Sequence, residues 1–182
     1  MTQVNIFADY LLEEMKSNLK IFVITADIGY GVLDKIIEIF PDRFINVGAA
    51  ENLMIGIAVG LCYEGYLPIC YTISTFLLYR PFEMIRNYVN HEKLNIKLVG
   101  AGRNKDYCKH EFTHWAEDDV TVVKNSFPNI NIYKPLTLTK EIFNKVINSI
   151  GPCYLNLKKI KLVNKCTLKN KYKHSKNTTA RI

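Results

Sequence analysis

The sequence predicts an α/β fold, a three-layer α/β/α arrangement around a mainly parallel six-stranded sheet. Strand-like and helix-like segments alternate along the chain, the pattern of a parallel sheet wrapped by its crossover helices. The runs "KIFVIT", "YLPICYTI" and "NIKLVGAG" are nearly continuous in apolar residues, as strands covered on both faces must be. Turns follow Thr25, Val47, Ile73 and Ala101, and in such folds ligands sit beyond the carboxyl ends of strands.

The elements follow in order. Thr2 can cap a helix over residues 3–17, whose Val4, Phe7, Tyr10, Leu11 and Met15 recur at helical spacing. "KIFVIT" is a buried strand, and "ADIGYG" after it is a turn with two glycines. "VLDKIIEIF" is a short helix stopped by Pro41, and "RFINV" is a second strand. A helix entered near Glu51 continues to Glu64, where Gly65 ends it. "YLPICYTI" is the third strand, followed by a helix from Leu77 to His91. "NIKLVGAG" is the fourth, followed by a polar loop from Arg103 to Phe112. "AEDDVTVVKNS" is a helix with acidic residues in its first turn, as the helix dipole favours. "INIYK" is the fifth strand, and Thr137 to Ile150 a helix with Thr137 as its cap. "CYLNL" is the sixth strand. No internal repeat or linker divides the chain, so the expected organisation is one domain over residues 1–157 and a basic tail over residues 158–182.

Composition narrows the class. With 182 residues, 48 % hydrophobic and 12 % aromatic, the chain is long and apolar enough for one core. No apolar run reaches the roughly 20 residues of a membrane span, and the first segment lacks the layout of a signal peptide. A cytoplasmic protein is the expectation. The five cysteines are widely spaced with no C-x-x-C pair, which argues against a metal or disulfide framework and for reduced thiols. The net charge of +7 is uneven: the tail holds nine Lys or Arg and no acid, so 15 of the 24 basic residues face all 17 acidic ones. Such a tail suits a solvated end better than a nucleic-acid contact.

Four segments at strand ends carry the candidate chemistry. Glu51 stands at the start of an otherwise uncharged helix, behind the small residues Gly48, Ala49 and Ala50. It is either a first-turn carboxylate favoured by the helix dipole or a cleft carboxyl that handles a proton beneath a flat ring. Phe76, Tyr79 and Phe82 recur at i, i+3 and i+6, on one face of a regular helix. They are either a core stripe or a stacking pocket. His114 precedes Glu117, Asp118 and Asp119 at a spacing that fits no familiar metal signature. Asp27 precedes Gly29 and Gly31, but no complete phosphate-binding glycine motif is present.

Taken together and in order, these segments resemble the pyrimidine-binding (Pyr) domain of transketolase-like, thiamine-diphosphate-dependent enzymes. "FPDRFINVGAAENLMIGIAVGLCYEG" is similar to the family's F-P-x-R-F-x-x-x-G-I-A-E-Q-x-M-x-G segment and its continuation. "STFLLYRPFEMIRN", "THWAEDD" and "FPNINIYKP" resemble the segments that follow it there, and the match covers residues 3–157. The resemblance implies that Glu51 hydrogen-bonds the cofactor's aminopyrimidine and activates it. It implies that Asp27, Phe76, Tyr79 and Phe82 lie around that ring, and that His114 faces substrate as a second catalytic residue. No metal ligand is expected in this chain.

The resemblance also has gaps. Val4 stands where the family usually has an Arg on the first helix, Gly31 where a serine is expected, and "HEFTH" where the family reads D-G-x-T-H. The segment that holds diphosphate and Mg²⁺ in these enzymes is absent from the sequence. The resemblance therefore implies one subunit of a split transketolase, transferring a two-carbon ketol unit between ketose and aldose substrates. Its partner subunit would carry the diphosphate-binding domain and most of the contacts to Mg²⁺, in a heterotetramer of two pairs. A split decarboxylase or synthase subunit, or a non-catalytic scaffold subunit, are the alternatives. Neither a membrane nor nucleic acid is an expected partner.

Overall fold

A computed structural model of the chain describes residues 1–159; from Ile160 onward the basic tail lies outside the described residues. The first helix, α1, spans Gln3–Ser17, and the Thr2 hydroxyl accepts from the Asn5 N–H at 3.4 Å. Its Val4, Phe7, Leu11 and Met15 are buried, as their spacing predicts. Val4 is part of the core.

Six strands follow: β1 Ile21–Thr25, β2 Phe44–Asn46, β3 Leu67–Ile73, β4 Lys97–Ala101, β5 Asn131–Tyr133 and β6 Cys153–Leu157. All pair in parallel, in the order β2-β1-β3-β4-β6-β5. The two edge strands are the shortest, three residues each, which limits exposed backbone at the sheet margins. The central β3 and β4 are buried along nearly their whole length.

The remaining helices are α2 Asp34–Ile39, α3 Glu51–Tyr63, α4 Ser74–Tyr79, α5 Phe82–Met84, α6 Asp119–Ser126 and α7 Lys140–Asn148. Two cores separate across the sheet. Residues of α1, α2 and α7 pack on one face with Val23, Ile69 and Val99. Residues of α3, α4 and α6 pack on the other with Ile24, Cys70 and Leu98. The strand alternation, one residue up and the next down, produces this three-layer sandwich.

Element boundaries differ most from the sequence reading at three places. The helix expected from Leu77 starts directly after β3, at Ser74, and is not continuous. Pro81 has no N–H to continue the ladder, so α4 stops at Tyr79 and the chain resumes as α5 and a π-helical turn, Ile85–Asn90. α6 begins at Asp119 rather than Ala116, because Ala116 is held extended by its N–H bond to the Asn104 carbonyl at 2.8 Å. The α7 cap is Thr139, which accepts from Ile142 N–H at 3.3 Å, and not Thr137. Leu138 is buried immediately before that cap.

The sheet polarity gives its two ends different work. At the amino end, the fully buried Lys97 ammonium donates to the Ser149 carbonyl (2.7 Å), the Ser149 hydroxyl (2.9 Å) and the Gly151 carbonyl (3.0 Å). All three donors are used, which is what allows the charge to be buried. Burial lowers its pKa below the ordinary lysine value. Among the described residues no helix is long and apolar enough to cross a membrane. Replacing Lys97 with Met keeps the volume but strips the α7–β6 turn of its donors, and is expected to lower unfolding free energy by about 2 kcal/mol. Urea denaturation of the two proteins side by side measures this.

Candidate active site

At the carboxyl end of the sheet, the loops after β1, β2, β3 and β4 converge. β2 and β3 lie on opposite sides of β1, so the chain direction switches there and opens a crevice. The Asn46 side chain stitches two of these loops, accepting from the N–H groups of Asp27 and Gly48, each at 3.0 Å. Asp27 holds a left-handed backbone (φ 49°), and its side chain is exposed at the mouth.

Glu51 is the first residue of α3 and is 3 % exposed, far too buried for an ordinary first-turn carboxylate. Both its oxygens accept from one guanidinium nitrogen of Arg80, at 2.7 Å and 2.9 Å. Arg80 in turn lies flat against Phe76, its central carbon 3.9 Å from the ring centroid. Phe76 and Arg80 share one side of the short α4 segment because they are four residues apart. The pair is asymmetric in burial: the Arg80 side chain keeps 45 % exposure and the Glu51 side chain 2 %.

His114 packs edge-on to Phe76 at 4.8 Å and lies stacked on His110 at the same centroid distance. Tyr107 closes the cluster, 5.9 Å from His114 and 6.1 Å from His110. Desolvation, then the positive fields of His110 and Arg80, hold the His114 pKa below its ordinary value. Burial pushes the Tyr107 phenol up to about 12, and Asp106 adds to this. The loop therefore presents a neutral imidazole beside the Glu51–Arg80 pair at neutral pH.

The three aromatic positions part company. Only Phe76 shares the Glu51 crevice. Tyr79 donates to Asp118 at 2.5 Å and lines a neighbouring cavity of about 370 Å³ with Thr75, Phe112, Thr113 and Trp115. The Trp115 indole carries Lys105 4.4 Å above its ring. Phe82 packs on Phe127 at 4.9 Å, within the core. Spacing of i, i+3 and i+6 aligns three rings only on an unbroken helix, and Pro81 breaks this one.

Sequence reasoning missed Arg80 and understated Asp119. The signal for Arg80 was the Phe76–Arg80 spacing, an aromatic four residues before a guanidinium. Asp119 is not a solvated first-turn acid: it is 1 % exposed and accepts from Lys134 (3.1 Å), Tyr154 (2.9 Å) and Asn156 (2.5 Å). Asn156 also donates to Ser74 at 3.3 Å and accepts from Arg103 at 2.6 Å. This network ties the starts of α4 and α6 to the ends of β4 and β6. Among the described residues no group of three or more metal-binding side chains comes together.

The chain belongs to the transketolase pyrimidine-binding domain family, whose model, "Transketolase, pyrimidine binding domain", matches residues 1–163. It is 30 % identical over 156 residues to one subunit of the apulose-4-phosphate transketolase of Actinobacillus succinogenes, covering 84 % of this chain and 50 % of that protein. It is 28 % identical over 154 residues to a 6-deoxy-6-sulfo-D-fructose transketolase subunit of a Clostridium species, covering 83 % and 48 %. The chain thus spans about half the length of the curated relatives it matches. A solved split-gene transketolase, described as an inactive beta4 tetramer, superposes with a TM-score of 0.75 at 29 % identity, over 87 % of this chain and 51 % of that one.

Two measurements test this site's construction. In an NMR titration His114 is expected to protonate below the ordinary histidine value of about 6.5, and His110→Asn is expected to move that midpoint upward. Between the two values the unfolded chain takes up a proton that the folded chain refuses, so His114 makes stability fall as pH drops through that window. Asp119→Ala leaves Lys134, Tyr154 and Asn156 without their shared acceptor and is expected to cost about 3 kcal/mol, read as a lower urea midpoint.

Proposed function

We propose that this chain is the pyrimidine-binding subunit of a split, thiamine-diphosphate-dependent transketolase-type transferase. The observation that carries the reading is the Glu51–Phe76 cradle. It already holds a flat N–H donor, the Arg80 guanidinium, with both carboxylate oxygens as acceptors and an aromatic face beneath. An aminopyrimidine makes the same two demands, a face to stack on and a carboxylate to accept its ring proton, so the residues present fit that group.

When bound, thiamine diphosphate supplies the nucleophilic carbon that takes up the two-carbon ketol unit. Glu51 holds the proton shared with the N1′ position of the pyrimidine, and its burial keeps water from competing for that bond. Phe76 supplies the stacking face. In this reading His114, neutral and at the mouth, exchanges a proton with a substrate oxygen. Asp27 at the rim of the same crevice adds an acceptor beside the ring. Tyr79 and Phe82 support this wall from behind by fixing the segment that carries Phe76 and Arg80.

The diphosphate and Mg²⁺ fall to a partner subunit in this reading, with the catalytic site between the two chains and two such pairs in the assembly. Support comes from the relatives named as subunits and from the beta4 assembly described as inactive. The substrates proposed are a ketose donor and an aldose acceptor. A split decarboxylase or synthase subunit is the second reading. It is favoured by the core position of Val4 and by His110 and Glu111 in the loop before His114, which alter the substrate side and leave the pyrimidine side intact.

The test is co-expression with a chain that supplies a diphosphate-binding domain. Calorimetric titration with thiamine diphosphate and Mg²⁺ is expected to show binding by the pair and by neither chain alone. Exchange of the cofactor's C2 proton is expected to slow about 10²–10⁴-fold in Glu51→Gln. A pair that binds no cofactor would return the chain to the role of a scaffold subunit.

A further inference from the structure

The Glu51 cradle is filled by a side chain of the protein itself. A carboxylate as buried as Glu51 is costly without a counter-ion, and Arg80 provides one that is planar, stacked on Phe76 and bonded to both oxygens. These are the contacts assigned above to the pyrimidine, and two flat groups cannot stack on the same ring face and bond the same carboxylate at once. Arg80 is also the residue at the break between α4 and Pro81, with nearly half its side chain open to water. Its guanidinium can leave by rotating about its own side-chain bonds, with no change in the backbone.

From this geometry we infer that Arg80 is a built-in occupant of the pyrimidine seat, and that the cofactor binds by exchanging with it. The inference rests on the pyrimidine reading of Glu51. In the free subunit Arg80 neutralises Glu51 and covers Phe76, so the crevice is closed to small cations and to water without any lid. A ligand enters only if it supplies both a flat face and an N–H for the carboxylate. The seat therefore discriminates between ligands by what they must replace. Apparent affinity is reduced by the fraction of chains in which Arg80 is docked, so removing Arg80 strengthens binding. Lysine is not equivalent, because an ammonium neither lies flat on a ring nor spreads its donors in a plane.

The experiment uses the full 182-residue chain with thiamine as probe, since thiamine carries the aminopyrimidine without the diphosphate. Binding is followed by NMR in the unmodified protein, Arg80→Ala, Arg80→Lys and Glu51→Gln, with the Arg80 Nε–H signal identified by its absence in Arg80→Lys. The expected result is that saturating thiamine moves that signal to the position of a solvated arginine. Arg80→Ala is expected to bind thiamine on the order of tenfold more tightly, and Glu51→Gln to lose binding. Arg80→Lys keeps the charge, guards against misfolding of the alanine variant, and is expected to bind more tightly than the unmodified chain. If thiamine binds through Glu51 while the Arg80 signal stays in place and neither Arg80 variant gains affinity, the exchange is wrong and the pyrimidine seat stands. If no variant binds thiamine at any concentration reached, the seat is wrong and the exchange fails with it.

Discussion

A buried carboxylate has to be paired, and at the carboxyl end of this sheet Asp119 is paired three times. Its oxygens draw in the Lys134 ammonium, the Tyr154 phenol and the Asn156 amide. Asn156 passes the constraint to Ser74 and Arg103, and Arg103 reaches the Pro135 carbonyl at 2.9 Å. Lys134 and Arg103 follow strand ends, Asn156 lies near the end of β6, and Ser74 begins α4. Burial and the nearby Asp119 charge both raise the pKa of Tyr154, so its hydroxyl stays protonated and continues to donate. Through Asn156 and Ser74 this acid helps hold the start of α4, the segment that carries Phe76 and Arg80.

Glu51 and Asp119 are both deeply buried yet serve opposite ends. Two of the three partners of Asp119, Tyr154 and Asn156, are fully buried, and the Lys134 side chain is 27 % exposed against 45 % for Arg80. Among the described residues Glu51 has a single charged partner, and that partner stands half in water. One acid fixes architecture because two buried donors hold it beside its lysine. The other is suited to bind because its partner can be replaced. Burial alone would not separate them; the exposure of the partner does.

Much of this was legible in the sequence, and what was not has identifiable causes. The alternation of apolar strands and helices gave the sheet, because period and composition are local properties. Glu51 stood out because a lone carboxylate in an apolar helix start is locally odd. Arg80 did not, because a basic residue at a helix end is usually solvated, and only its contact with Glu51, across 29 positions, gives it meaning. Asp119 looked like one acid among three, since nothing local marks it as the one that turns inward. Spacing alone groups Tyr79 and Phe82 with Phe76, but on a regular helix that Pro81, present in the same stretch, forbids. Thr137 and Thr139 are both sound caps by residue type, and only the folded chain shows that Thr139 is used.

The chain contains a single tryptophan, and it is Trp115, in the wall of the cavity beside His114. Its indole lies under a lysine ammonium, and its N–H is buried without a hydrogen-bond partner among the described residues. Emission from such a ring is sensitive to a nearby positive charge and to the arrival of water. The protein thus carries its own optical probe in the loop that borders the crevice. Excited at the red edge, where tyrosine no longer absorbs, this one residue reports on the site without any label.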